Sequence, residues 1–141
     1  MNTIEHTPFH GCKLLLVEDD KTIVEGLEYY LNQEGFLLTC CYDVSSSLKA
    51  LHNTKFDLAI LDISLPDGNG YDLCKKIKET IDTPVIFLTA RDDEGSTVMG
   101  LDIGADDYIT KPFRIRELHS RIKSVLRRSN KNNSNDSFDI I

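Results

Sequence analysis

The sequence predicts an α/β domain built on a doubly wound, five-stranded parallel sheet. Short apolar runs alternate with stretches of helical period from residue 13 to residue 128. The runs at 14–17, 58–61 and 85–88 are continuously apolar, as in strands buried on both faces. A length of 141 residues fits one compact domain, and five β/α units in series put helices on both faces of its sheet.

The first strand is Lys13-Leu14-Leu15-Leu16-Val17, followed by Glu18-Asp19-Asp20 and a helix whose Ile23, Leu27, Tyr30 and Leu31 share a face. Asp20 has the chemistry of an N-cap and Gly35 that of a stop. Phe36 to Tyr42 reads as the second strand, with Asp43 capping a helix that carries Val44, Leu48 and Leu51. Leu58-Ala59-Ile60-Leu61 is the third strand; Pro66-Asp67-Gly68-Asn69-Gly70 makes the turn into a helix with Tyr71, Cys74 and Ile77 on one side. Pro84 precedes the fourth strand, Val85 to Leu88, and a helix from about Asp93 to Ile103 is stopped by Gly104. A short fifth strand at Tyr108-Ile109-Thr110 leads through Lys111-Pro112 to a last helix bearing Ile115, Leu118, Ile122, Val125 and Leu126. Residues 1–11 are expected to be a tail and 12–128 the domain. Ser129 to Ser137 is polar and without period, and reads as a linker or frayed tail; Phe138 to Ile141 turns apolar again, as the start of a further strand would.

Composition narrows the function. No apolar stretch approaches the ~20 residues of a membrane span. Met1 to Gly11 lacks a basic segment followed by an apolar one, so no signal peptide is read and the cytoplasm is the expected location. Cys12, Cys40, Cys41 and Cys74 have no disulfide or CxxC spacing and read as reduced, small apolar residues; His6, His10, His52 and His119 are scattered, so zinc is not expected. The formal charge of −7 is uneven: residues 114–131 hold 7 of the 16 basic side chains and one acid, while the body is strongly acidic. An acidic body repels phosphate backbones, which disfavours direct nucleic-acid binding.

In open parallel sheets, ligands bind at the carboxyl ends of the strands. There the first strand delivers Glu18, Asp19 and Asp20, the third Asp62, the fourth Thr89 and the fifth Lys111. Crowded carboxylates repel one another and are tolerable beside a cation; all-oxygen donors suit a hard ion such as Mg²⁺, here on Asp19 and Asp62. A carboxylate beside Mg²⁺, a lysine and a hydroxyl is equipped to attack a phosphoryl group: Asp62 as nucleophile, Lys111 as neutraliser, Thr89 as donor to a phosphoryl oxygen. Singly, such residues are commonly a cap, a β-former and a solvated surface charge. Their conjunction at successive strand ends carries the reading.

Leu15 to Asp20, Leu61 to Gly70, Leu88-Thr89-Ala90 and Tyr108 to Phe113 together resemble the receiver domain of two-component response regulators, with a CheY-like fold, over roughly Lys13 to Arg128. The resemblance implies a flavodoxin-like (βα)5 order of 2-1-3-4-5 and a phosphoacceptor that assists its own phosphorylation and dephosphorylation rather than an enzyme. It implies phosphorylation of Asp62 by a sensor histidine kinase, and Mg²⁺ on Asp19, Asp62 and the Ser64 backbone carbonyl, with Glu18 reaching the ion through water. It also implies a cis Lys111-Pro112 bond and a switch pair, Thr89 and Tyr108, whose hydroxyl moves to the phosphoryl group while the ring turns inward.

Gly104 to Tyr108, Arg116-Glu117-Leu118 and Leu126-Arg127-Arg128 are similar to the OmpR/PhoB subfamily of transcriptional regulators. That implies a homodimer through the fourth helix, fifth strand and fifth helix, with Asp107 pairing Arg121 and Asp106 pairing Arg128 across subunits. Glu117 is in place for a third pair, but the fourth-helix position that usually carries Lys or Arg holds Thr97. Residues 129–141 are then a linker toward a C-terminal winged-helix domain through which alone DNA would be bound; a stand-alone receiver is the alternative. A haloacid-dehalogenase-like phosphohydrolase is disfavoured because Asp62-Ile63-Ser64 lacks the second Asp of a DxD motif and the acid pair comes first. A flavodoxin is disfavoured because Glu18-Asp19-Asp20 would repel a cofactor phosphate. A degenerate receiver acting only as a scaffold is disfavoured by the intact Asp19, Asp62, Thr89 and Lys111.

Overall fold

The structure, a computed structural model, describes residues 9–138, with side chains described to residue 129. Its strands are β1 (Lys13–Val17), β2 (Leu37–Cys41), β3 (Leu58–Leu61), β4 (Ser64–Leu65), β5 (Gly68–Asn69), β6 (Val85–Thr89) and β7 (Asp107–Thr110). The helices are α1 (Lys21–Gln33), α2 (Val44–Asn53), α3 (Gly70–Thr80), α4 (Glu94–Ile103) and α5 (Ile115–Phe138). Five strands form one parallel sheet in the order β2-β1-β3-β6-β7, which is the expected 2-1-3-4-5; β4 and β5 form a small antiparallel hairpin inside the loop after β3.

Strand period divides the core in two. Leu14, Leu16, Leu58, Ile60, Ile86, Leu88 and Ile109 pack on one face with Leu27 and Leu31 of α1 and Leu118, Ile122 and Val125 of α5. Leu15, Val17, Ala59, Leu61, Val85 and Phe87 pack on the other, with Leu73, Cys74 and Ile77 of α3. With both faces covered, the continuously apolar runs are the stable choice.

The caps fall where their chemistry requires. Asp20 accepts from the Thr22 and Ile23 N–H groups, Asp43 from Ser46 N–H and Asp93 from Ser96 N–H. Gly104 ends α4 at φ +122°, a conformation other residues rarely adopt. Two boundaries differ from expectation. Phe9, placed in the tail by sequence, is buried in the α1/α5 core, and the Gly11 N–H bonds the Gly35 carbonyl. The polar segment after Arg128 continues α5 to Phe138: it holds no proline or glycine, and propagating a helix already anchored by packing is far easier than nucleating one. The expected terminal strand has Phe138 at the helix end, and residues 139–141 lie outside the described residues, as do residues 1–8.

Burial pushes the Cys74 thiol up to about 11; burial, then the Glu28 charge, pushes Cys40 up to about 12, so both stay protonated and unreactive at neutral pH.

Candidate functional site

The parallel sheet brings the carboxyl ends of β1, β3, β6 and β7 to one edge, and the acidic and basic residues meet there. Carboxylate oxygens of Glu18, Asp19 and Asp62 all lie within 4.8 Å of one another. Glu18 follows β1 and is 1% exposed; Asp62 follows β3 and is 7% exposed; Asp19 is exposed at the rim. Asp20, adjacent in sequence, is occupied elsewhere as the α1 cap, which removes it from the cluster.

Lys111 closes the site from the end of β7. Its Nζ lies 2.9 Å from Asp62 Oδ2 and 2.6 Å from Glu18 Oε1. The Lys111 N–H donates to the Thr89 carbonyl at 2.8 Å, and the Lys111-Pro112 peptide bond is cis, as the resemblance implied. Thr89 is 1% exposed at the end of β6, its Oγ1 accepting from the Arg91 N–H at 3.4 Å. Ser64 N–H donates to Asp62 Oδ1 at 3.3 Å, and Glu18 Oε2 accepts from Asp20 N–H at 3.0 Å.

The electrostatics are those of a cation site. Burial raises the Glu18 carboxyl above the ordinary range against the lowering effects of Lys111 and the Asp20 N–H, and the Asp62 charge adds to the rise. Burial works to lower the Lys111 ammonium, but its contacts with Glu18 and Asp62 outweigh this and raise it. One ammonium therefore serves two carboxylates while a third stands at the rim. Glu18 Oε1, fully buried, has the ammonium beside it but no aligned hydrogen-bond donor. A three-carboxylate, all-oxygen donor set with a buried oxygen in that condition fits Mg²⁺.

Two further residues shape this edge, and both looked like ordinary turn residues in the sequence. Asp67, in the β4–β5 turn, accepts from the Val44 N–H at 2.7 Å and the Ser45 N–H at 3.0 Å, tying the loop after Asp62 to the first turn of α2. At Gly70 a Cβ would clash with the Asp62 carbonyl oxygen, so only glycine lets α3 start against the acceptor backbone. An x-Asp-Gly-Asn-Gly turn signals a reversal; nothing in it names α2 as the partner.

Tyr108 on β7 is turned toward the protein, its ring 5.9 Å from that of Phe87 and its hydroxyl donating to the Arg91 carbonyl at 2.7 Å. The charges expected to pair across a dimer are partly consumed within the chain. Arg121 lies 3.0 Å from both oxygens of Asp107. The Asp106 carboxylate accepts from Lys78 Nζ at 3.2 Å and from the Val85 N–H at 2.9 Å, while Arg128 reaches only the Asp106 carbonyl, at 3.4 Å. The cause is local: α5 lies beside β7, and Asp106 sits over the start of β6. Glu117 is exposed and Thr97 half-buried, with its Oγ1 bonded to the Asp93 carbonyl.

Comparison with known proteins agrees with this geometry. A family model described as "Response regulator receiver domain" matches residues 14–123. A two-component response regulator from Clostridium difficile is 32% identical, with a TM-score of 0.82 over 84% of this chain and 98% of that one. The BeF3-activated DrrB receiver domain is 37% identical, TM-score 0.77, over 83% and 98%. The response regulator DrrB of Thermotoga maritima, an OmpR/PhoB homolog, is 38% identical, TM-score 0.77, with 84% of this chain matching 54% of that longer one. By its family match, its sheet order and its strand-end constellation, the chain belongs to the response regulator receiver domain family, with OmpR/PhoB-type relatives among its structural neighbours.

Proposed function

We propose that this receiver domain accepts a phosphoryl group on Asp62 from a sensor histidine kinase. Receiver domains are signalling phosphoacceptors rather than classical enzymes, and they bind Mg²⁺ at an acidic cluster. The observation that carries the assignment to Asp62 is its position: almost buried, one oxygen on the Lys111 ammonium, within 4.8 Å of Glu18 and Asp19.

Asp62 attacks phosphorus with a carboxylate oxygen. The O–P bond forms as the bond from phosphorus to the donor's nitrogen or oxygen breaks, and the donor leaves with that electron pair. Lys111 holds the nucleophilic carboxylate in place and offers positive charge to the arriving oxygens, while Thr89 donates a hydroxyl proton to one of them. Asp19, Asp62 and the Ser64 carbonyl, with Glu18 through water, would hold Mg²⁺, which when bound would supply the remaining neutralisation. Because the receiver carries these groups itself, a small phosphodonor also serves, and the same groups assist hydrolysis.

Phosphorylation then biases Thr89 and Tyr108, and with them the face of α4, β7 and α5, toward a homodimer. Val98, Met99 and Leu101 expose apolar surface on α4, which supports this face. Exchanging intrachain for interchain contacts at Asp107 and Arg121 is close to neutral for exposed ions, so the apolar surface is the main source of affinity. Transcription is controlled through an attached DNA-binding output domain; that this chain matches 54% of DrrB supports the longer form. No described helix is long and apolar enough to cross a membrane, in keeping with a cytoplasmic role.

Incubation with Mg²⁺ and acetyl phosphate, followed by intact mass, tests the reading. A single phosphate adduct that Asp62→Asn abolishes is expected; an unchanged mass, or an adduct surviving the substitution, overturns it.

A further inference from the structure

Three hydroxyls from three elements converge on the backbone that begins α4. The Tyr71 hydroxyl, from the first turn of α3, donates to the Ser96 carbonyl at 3.1 Å. Tyr108, from β7, donates to the Arg91 carbonyl at 2.7 Å, and Thr97 donates to the Asp93 carbonyl at 3.2 Å. Phe87 stands between the two tyrosine rings, 5.6 Å from Tyr71 and 5.9 Å from Tyr108. The helix rests directly on this aromatic row: at Gly100 a Cβ would lie 3.1 Å from ring carbons of both Phe87 and Tyr108, so a side chain there would push α4 outward.

We propose that Tyr71, Thr97 and Tyr108 form a hydroxyl latch that sets the position of α4, and that Tyr71 and Thr97 are thereby positioning residues for the switch. The proposal deepens the phosphoacceptor reading and rests on it. It gives Thr97 a role where the subfamily pattern carries a basic residue: its half-buried hydroxyl closes on the Asp93 carbonyl at the start of α4. Burial, with the Tyr71 contact, pushes the Tyr108 hydroxyl up to about 12, so it remains a donor throughout the neutral range. The latch is closed with the Tyr108 ring turned inward. It therefore stabilises the arrangement that phosphorylation is proposed to favour.

Tyr71→Phe removes one hydroxyl and keeps the ring on Phe87. Losing one such hydrogen bond shifts the local equilibrium about five-fold. In the full chain without ligand, amide hydrogen exchange along α4 should quicken about five-fold, with β1 and β3 amides unchanged. Thr97→Val should act in the same direction and Thr97→Ser should restore wild-type exchange. Unchanged α4 exchange in both Tyr71→Phe and Thr97→Val overturns the latch. A second arm titrates beryllofluoride with Mg²⁺ and follows amide NMR shifts; Tyr71→Phe should weaken the apparent affinity measurably, by less than the roughly five-fold seen in exchange, because less of the protein is in the inward state. Faster exchange with unchanged affinity overturns the positioning role. Failure of the wild-type chain to bind beryllofluoride overturns the phosphoacceptor reading instead, while the exchange arm still decides the latch.

Discussion

Asp19→Asn should stabilise the protein without Mg²⁺ and make it indifferent to Mg²⁺. The Asp19 carboxylate stands within 4.8 Å of those of Glu18 and Asp62, whereas the Lys111 ammonium is engaged by the latter two. Two unit charges at that separation repel by about 1 kcal/mol in a water-like medium and about 3.5 kcal/mol at an effective dielectric of 20. Asp19 is exposed, so the lower value applies, and with the Lys111 charge offsetting one of its two neighbours the net repulsion amounts to about 1 kcal/mol. Neutralising it should raise the thermal midpoint by about 3–5 °C for a domain of this size. Adding 10 mM Mg²⁺ should stabilise the wild type by mass action and leave the variant almost unmoved, since the variant lacks a charged ligand. Calorimetry with and without Mg²⁺ measures all four quantities. A variant no more stable than wild type without metal, or one that gains as much from Mg²⁺, would refute the cation-site reasoning.

Asp67→Ala strips two N–H partners from α2 and should cost about 1–2 kcal/mol in urea unfolding; a loss below a few tenths would show that water replaces the carboxylate. Gly70→Ala forces a methyl into the Asp62 backbone and should cost about 1–3 kcal/mol while slowing phosphorylation by acetyl phosphate; a wild-type rate would remove Gly70 from the site. His119, buried against Tyr30 and Phe36 with Nε2 unpartnered, has its ionisation lowered, by burial first and Lys123 second, while Glu34 opposes. It is neutral in the folded protein, so its contribution is fully present above about pH 6.5 and is lost as pH falls below that value toward the folded-state pKa. His119→Gln should flatten stability over that window, and an unchanged profile would contradict the assignment. Arg121→Glu should lower dimerisation of the phosphorylated chain in sedimentation; an undiminished dimer would remove β7 and α5 from the interface.

The fold was legible because its signals are local and redundant. Apolar runs of both-face burial, Asp20, Asp43 and Asp93 at the helix starts, and Gly104 at a helix end all say the same thing, and strand-end chemistry then follows from topology. Glu18, Asp19, Asp62 and Lys111 meet as expected for that reason. What stayed hidden depends on which distant backbone a side chain meets. Asp67 reaches α2 across 23 residues, Tyr71 reaches α4 across 25, and Lys78 captures Asp106 across 28. The subfamily resemblance placed Asp106 in a dimer contact, and it could not show that the Val85 N–H and Lys78 already hold that carboxylate. The helix beyond Arg128 was hidden for the opposite reason: its Ser/Asn-rich sequence has weak preference of its own and takes its conformation from the packed segment before it.

The central claim, that Asp62 is the phosphoacceptor, is met most directly by locating the modified residue. After reaction with acetyl phosphate and Mg²⁺, borohydride reduces an aspartyl phosphate to homoserine, and peptide mass spectrometry identifies where. Homoserine is expected at position 62 and at no other aspartate; reduction at Asp19 or elsewhere, or none in protein shown to carry phosphate, would contradict the assignment.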